Sequence, residues 1–474
     1  LENLINALVS YIWSNWLVGL CLAAGLYFSV ATRFLQIRHI KDMARYLFTG
    51  HESARGLSSF QAFALAVSGR VGTGNIAGVA TAIAIGGPGA IFWMWAIAFL
   101  GAGSAFVEST LAQIYKVEID GQYRGGPAYY IEKGLKQKWY AVLFAVSTIL
   151  GTGLFLPGVQ SNSIGLAVEN AFGIGTNTSG IVVVALLGLV IFGGFKRIGQ
   201  VAQWLVPFMA VGYMLVAILV IITNIGKLPE VFSLIFKSAF AAEPAFGGML
   251  GMAISWGVKR GIYSNEAGQG TGPMAAATAE VSHPAKQGLV QAFSVYFDTW
   301  FVCTATALMI LITGAYNVVD PSGGFIVENL PGIDYGPAFT QAAVDTFIPG
   351  FGGAFVAVAL FFFAFTTLMA YYYFTETNVA YLWTNHDHRV KAIFVVRILF
   401  LVVIFFGTLR SASLAWALGD IGVGLMAWLN IIAILLLSRP ALRCLRNYES
   451  QKKQGKDPVF KAADIDVTNT DLWK

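Results

Sequence analysis

The run Ser68-Gly69-Arg70-Val71-Gly72-Thr73-Gly74-Asn75-Ile76-Ala77-Gly78 places glycines, two hydroxyls, an amide and an arginine inside an otherwise apolar segment, 60–84. Glycine permits unwound backbone and lets a ligand approach it closely. Non-helical backbone at membrane depth persists only where protein buries it or where it lines a cavity. The cut ends of such a helix present N–H groups on one side and carbonyls on the other, partial charges of both signs. Those groups can replace the water around a small zwitterion. A Gly-Thr-Gly run also suits close helix packing, but Arg70 and Asn75 within the same few residues favour a ligand.

A second run, Arg260-Gly261-Ile262-Tyr263-Ser264-Asn265-Glu266-Ala267-Gly268, repeats the spacing: Arg70, Asn75, Ala77 and Gly78 align with Arg260, Asn265, Ala267 and Gly268. Interrupted helices in corresponding places of two halves point to a substrate site near the bilayer midplane.

The elements that must position these runs are membrane spans. The chain has 474 residues, 57% of them hydrophobic and only 12% charged, too little charge for the surface of a soluble protein of this size. Cys21, Cys303 and Cys444 show no pair spacing, so neither a disulfide framework nor a metal cluster is expected. All five histidines (His39, His51, His283, His386, His388) fall in expected loops or helix ends. His386-Asp387-His388 reads as a solvated inter-helix loop rather than a metal site. The first apolar segment lacks a basic n-region and a cleavage site, so it reads as a span and not a signal peptide.

Eleven segments of roughly 17 residues or more can cross a bilayer. They lie at about 10–32, 60–84, 90–115, 140–171, 179–195, 200–224, 246–282, 287–314, 350–383, 391–409 and 412–437. Pro157 interrupts the fourth, and Pro273 is placed to start the second half-helix of the seventh. A polar tail from Arg439 is expected to be flexible. Alternate loops are basic, from Arg33, Arg38, Lys41, Arg45 and Arg55 to Arg439, Arg443, Arg446, Lys452 and Lys453, whereas the loop 315–349 has no Lys or Arg. Basic loops face the cytoplasm, so the N-terminus is expected outside and the C-terminus inside. Basic clusters of this kind are also compatible with anionic lipid.

The fold expected is therefore an all-α polytopic membrane protein with 11 transmembrane helices, one extra N-terminal helix and a 5+5 inverted-repeat core with two discontinuous helices. The divisions are 1–45 for the extra helix and linker, 46–230 and 231–438 for the repeats, and 439–474 for a cytoplasmic tail.

Val71-Gly72-Thr73-Gly74-Asn75-Ile76-Ala77-Gly78, Ser264-Asn265-Glu266-Ala267-Gly268, and Thr366-Thr367 followed by Glu376 resemble the alanine/glycine:cation symporter family over essentially the whole chain. The first motif also resembles the first core helix of neurotransmitter:sodium symporters, which share the five-plus-five fold. The resemblance implies sodium-driven uptake of alanine or glycine across the cytoplasmic membrane, with some tolerance for D-alanine. No cofactor beyond the coupling sodium ion is implied, and no nucleic-acid partner.

The substrate carboxylate is expected at the backbone N–H groups near Gly72, Thr73, Gly74 and Asn75, with the Thr73 hydroxyl as a further donor unless it bonds back to its own helix. The ammonium is expected at free carbonyls near Tyr263 to Gly268, helped by the Asn265 oxygen. Gln160 matches a glutamine that contacts substrate in the family; a bond joining two helices is the other reading. Tyr371 stands where the family pattern Gly-Trp-Ser-Tyr-Tyr carries Trp, in the local sequence Ala370-Tyr371-Tyr372-Tyr373. That departure leaves glycine against alanine preference open. Sodium, a hard cation, prefers oxygen ligands, and the resemblance pairs the Thr366 and Thr367 hydroxyls with the carbonyls of Ser68 and Val71.

Glu108, Glu266 and Asp298 are costly at membrane depth. Glu108 and Asp298 read as structural braces, Glu108 against the unwound strand of the second broken helix and Asp298 paired with Arg70 or another cation. Glu266 lies within the break itself. A proton is the alternative coupling ion, for which such a carboxylate would replace the hydroxyl cage. A channel would show rings of charge or filter carbonyls from several subunits. An intramembrane enzyme would show a motif such as His-Glu-x-x-His or Gly-x-Ser-x-Gly. Neither pattern is present.

Overall fold

The computed structural model describes residues 2–50 and 53–473, so His51 lies outside the described residues. The chain is an all-α polytopic membrane protein with two short hairpins. Among the described residues eight helices are long and apolar enough to cross a bilayer, and Ala77–Gly86 and Thr176–Ile191 are shorter apolar helices.

Both glycine-rich runs interrupt their helices. The first segment is helical over Ser59–Arg70, extends at Val71 and Gly72, makes one tight turn at Thr73–Asn75 and restarts as Ala77–Gly86. A capping box fixes where it begins: Gln61 N–H donates to Ser58 Oγ, and Ser58 N–H to Gln61 Oε1. The second segment is helical over Leu250–Asn265 and again over Gly272–Ala277. Its break thus begins at Glu266, three residues beyond the expected start at Tyr263. Glu266, Gly268 and Gly270 all have positive φ, and the alternating glycines are where backbone can turn left-handed cheaply. The two segments are stitched together at their far ends, where Leu57 pairs with Ala279 as parallel strands do. Leu57 N–H donates to Thr278 O at 2.8 Å, and Glu280 N–H to Leu57 O at 2.9 Å.

Two of the flanking helices carry wider π-type turns. In Lys138–Phe172 the turn is Gly151–Phe155, just before Pro157, whose missing N–H and ring would otherwise break the ladder. In Pro284–Thr313 it is Phe297–Cys303, and it carries Asp298. The helix Gly352–Leu382 runs unbroken past both interruptions.

Several connections are more ordered than the sequence suggests. The first span is two helices, Glu2–Ile12 and Asn15–Ala31, and Ile5 and Ile12 of the first pack on Ile421. The 315–349 loop holds a hairpin and the helix Pro337–Asp345. His386, Asp387 and His388 open the helix His386–Thr408 instead of lying in a loop, and His386 Nδ1 meets Asp120 at 3.0 Å.

The tail is not a flexible extension. Ser438–Lys453 is a helix that buries Ala441, Cys444, Leu445 and Tyr448, an i, i+3, i+4, i+7 stripe masked in the sequence by surrounding charge. The chain then folds back, with Phe460 N–H on Ser282 O, Lys286 on Asp457 at 2.7 Å and Trp473 Nε1 on Gln113 O.

His283 joins this tail to the core. Its Nδ1 accepts from Ala285 N–H and caps the following helix, so Nε2 carries the proton donated to Asn447 Oδ1 at 3.1 Å. Burial pushes its imidazole down from 6.5 to about 4. A histidine depressed in the folded state contributes stability above its unfolded value, and that stability is lost as pH falls through the folded value. Unfolding of the detergent-solubilised protein should therefore become easier between pH 6.5 and 4, by at most about 3 kcal/mol. His283→Gln should flatten that part of the profile; an unchanged slope would refute the assignment.

Candidate functional site

The first break lies against the last helical turn before the second. A Cβ placed on Gly74 would lie 3.2 Å from the Tyr263 ring and 3.4 Å from Ser264 Cα. One on Gly72 would lie 2.5 Å from Thr367 Oγ1 and 2.9 Å from Gln160 Oε1. The first break is therefore enclosed by the end of the helix Leu250–Asn265 and by the helices that carry Thr367 and Gln160. Gln160 Oε1 accepts from Thr73 N–H at 3.1 Å, and Asn75 Oδ1 closes its own turn by accepting from Gly72 N–H at 2.9 Å. Tyr371 lies one turn beyond Thr367 on the same helix and is buried. Thr73 Oγ1 and Tyr263 OH are buried beside each other, and among the described residues neither meets another hydrogen-bond partner.

The second break is held from below. Gly268 N–H donates to Glu108 Oε1 at 3.1 Å, and the Asn430 amide donates both to Glu108 Oε2 at 2.6 Å and to Gly268 O at 3.0 Å. The Asn265 oxygen accepts from Ala267 N–H at 3.0 Å. Asn265 thus spends its polar groups on Ala267 and Thr299, and Gly268 on Glu108 and Asn430, so the structure does not bring them to Gly72 and Thr73.

Asp298 does not pair with Arg70. Its carboxylate accepts from Asn75 Nδ2 at 2.7 Å, Ser264 Oγ at 2.9 Å and Thr299 Oγ1 at 2.8 Å, so it is bonded to both broken helices. Arg70 donates instead to Gln291 O and Ser294 Oγ. Glu266 accepts from Thr271 at 2.8 Å, and the Tyr371 hydroxyl lies beside its carboxylate.

The threonine pair splits. Thr367 Oγ1 donates to Phe363 O at 2.9 Å and reaches Val71 O at 3.3 Å, across the helix interface. Thr366 Oγ1 turns to Phe362 O, Phe363 O and the Met209 sulfur. Ser68 Oγ donates to Ala64 O within its own helix.

Sequence reasoning passed over the cap on this site. Lys259 Nζ lies 2.7 Å from Asp420 Oδ2, and Arg260 grips the same carboxylate at 3.0 and 3.1 Å. The Arg260 guanidinium lies over Trp416, whose ring packs on Tyr263 with centroids 5.0 Å apart. Above this layer is a cavity of about 1250 Å³, lined by Trp13, Thr81, Asn162, Trp256 and Tyr335 among others. Asp420 is a carboxylate inside an apolar span, the same signal that singled out Glu108 and Asp298. On the opposite side Glu376 accepts from Arg124 at 2.6 Å and from Tyr372 at 2.5 Å.

Residues 1–462 match the model of the sodium:alanine symporter family. The chain belongs to that family. It is 61% identical over 474 residues to the "putative sodium/proton-dependent alanine carrier protein YrbD" of Bacillus subtilis (strain 168), covering 100% of this chain and 98% of that one. It is 47% identical over 462 residues to the "probable sodium/glutamine symporter GlnT" of the same organism, covering 97% and 93%. Among solved structures, that of MhsT in complex with L-phenylalanine aligns with a TM-score of 0.56 at 16% identity, over 89% of this chain and 95% of that one. At that identity the likeness shows a shared fold. Family membership carries the activity class: this is a multi-pass membrane transporter that couples a small amino acid to sodium, and not an enzyme.

The spacing at Gly72 gives a direct test. Gly72→Ala would drive a methyl into Thr367 and Gln160, overpacking of roughly 1–3 kcal/mol. Substrate binding should weaken by about tenfold to 100-fold while the protein stays monodisperse on size exclusion. Unaltered binding would remove Gly72 from the site.

Proposed function

We propose that the chain imports alanine or glycine with sodium by alternating access, the substrate lying where the two breaks meet. The observation that carries this reading is the pair of buried hydroxyls, Thr73 Oγ1 and Tyr263 OH, set against each other beside the unwound backbone of Gly72–Asn75. The carboxylate takes the N–H groups and hydroxyl of 72–74, with Gln160 yielding Thr73 N–H to it. Tyr371 bounds the pocket on the side of the long helix. Asn75, Asn265 and Gly268 shape the breaks that present these groups. Sodium sits between Val71 O and Thr367 Oγ1, with the Ser68 carbonyl and Thr366 adjacent; Thr366 contributes through its neighbour, since its own hydroxyl is engaged.

The architecture proposed is eleven spans: an extra N-terminal helix in 1–45, inverted repeats of five in 46–230 and 231–438, and a cytoplasmic tail in 439–474. Loop charge supports an outside N-terminus and an inside C-terminus. In that orientation the large cavity opens outward, and the Asp420 cluster with Tyr263 and Trp416 forms the layer between it and the site. Asp298 and Glu108 brace the breaks, and Glu266 faces Gly69 of the first.

A proton contribution is the second reading. It is favoured by the complete burial of the Glu266 carboxylate and by the words "sodium/proton-dependent" in the name of the YrbD relative. The glutamine named for GlnT makes that amino acid the competitor to include.

Proteoliposomes with sodium and pH gradients imposed separately decide between the two. Labelled alanine or glycine should accumulate under the sodium gradient alone; accumulation driven only by pH would overturn sodium coupling. Thr367→Val should raise the sodium concentration for half-maximal uptake by roughly tenfold, the worth of one hydrogen-bonding oxygen at a charge. Thr366→Val should leave it within about twofold. Equal effects of the two would remove Thr367 from the cation site.

A further inference from the structure

At the face carrying the basic loops, a separate cavity of about 270 Å³ lies between the end of Asn15–Ala31 and the tail helix Ser438–Lys453. Thr32, Arg33, Arg38, Arg446, Glu449 and Lys453 line it. The one acid is already spent: Glu449 Oε1 takes Arg38 at 2.7 Å and His39 at 3.0 Å. Among the described residues Arg33, Arg446 and Lys453 make no ion pair, so three cations converge on one small space uncompensated.

The backbone is bent to build this place. Arg33 and Phe34 follow each other with φ of 55° and 54°, a left-handed step that costs an L residue about 1–2 kcal/mol each time. The step ends the membrane helix abruptly, with Phe34 N–H returning to Ser29 O. It leaves Arg33 on the cavity and Phe34 on the exposed side, followed by the exposed Ile37, Ile40 and Phe48. Since the apolar span ends at Ala31, the cavity stands at the level of lipid headgroups, with apolar side chains beside it.

We propose that this cavity binds the phosphate of an anionic glycerophospholipid, which fastens the tail helix to the N-terminal membrane helix. Three basic side chains around a phosphate supply charge and donors, and the neighbouring Phe34, Ile37 and Ile40 suit acyl chains. Basic pockets between helices at this depth are the physical form such sites take.

The test uses the full chain in nanodiscs of phosphatidylcholine with increasing phosphatidylglycerol, read by lipid retention in native mass spectra and by thermal unfolding. Each cation at an anionic surface is worth about a fivefold gain in affinity. R33Q/R446Q/K453Q should therefore weaken phosphatidylglycerol retention by on the order of 100-fold and abolish its thermal protection. A charge-matched control, K136Q/K138Q/K391Q, should behave as the wild type. Should the triple variant misfold, R446Q and K453Q, both at exposed positions, are each to weaken retention about fivefold. Equal loss in the control would mean diffuse surface charge and overturn the site. Protection by inorganic phosphate in pure phosphatidylcholine, lost in the same variant, would reassign it to a free anion. Absence of any preference for phosphatidylglycerol would also refute it.

Discussion

A fully buried carboxylate, Asp298, holds this molecule's centre together. A carboxylate in that position is tolerable only if its lone pairs are met by donors, and the donors come from Asn75 on one cut helix and Ser264 on the other. The widened turn Phe297–Cys303 supplies the third, Thr299, and re-aims the side chain. Glu108 repeats the arrangement at the other end of the second break, through Gly268 N–H and Asn430. Glu108 takes a backbone N–H that helical continuity would otherwise have satisfied, that of Gly268, while Asp298 ties the two cut helices through their side chains. Unwound peptide can then exist at membrane depth in one defined shape.

In the site proposed above, that shape puts the cation and substrate groups on consecutive residues. Val71 offers its carbonyl toward Thr367, Gly72 has no side chain to fill the space beside Gln160, and Thr73 meets Gln160 through its N–H and Tyr263 through its hydroxyl. A ligand that orders any one of these residues orders the next, so the two affinities are linked and the linkage is reciprocal. Ordering costs backbone entropy once, and whichever ligand arrives second finds the segment already set.

Both breaks are legible in the sequence because glycine, hydroxyl and amide side chains stand out in an apolar run. The start of the second was misread because its spacing copies the first, while Tyr263, Ser264 and Asn265 stay helical and the turn waits for Gly268 and Gly270. Glu108 and Asp298 could be named as buried acids, but their partners could not: Asn430 lies 322 positions from Glu108, and Ser264 lies across a helix interface from Asp298. Asp420 gave the same signal and was passed over among louder ones. Adjacent threonines look alike in sequence, yet a helix turns them 100° apart, and Thr367 alone reaches the first break. The docked tail was hidden because a narrow apolar stripe under many charges resembles a solvated helix or coil.

The short parallel pairing of Leu57 with Ala279 joins the lead-in of one severed helix to the end of the other. Those half-helices come from opposite halves of the chain, yet two backbone hydrogen bonds through Leu57 hold them side by side. Displacing one of them without the other breaks both bonds, so this single bridge couples the two severed helices into one leaf.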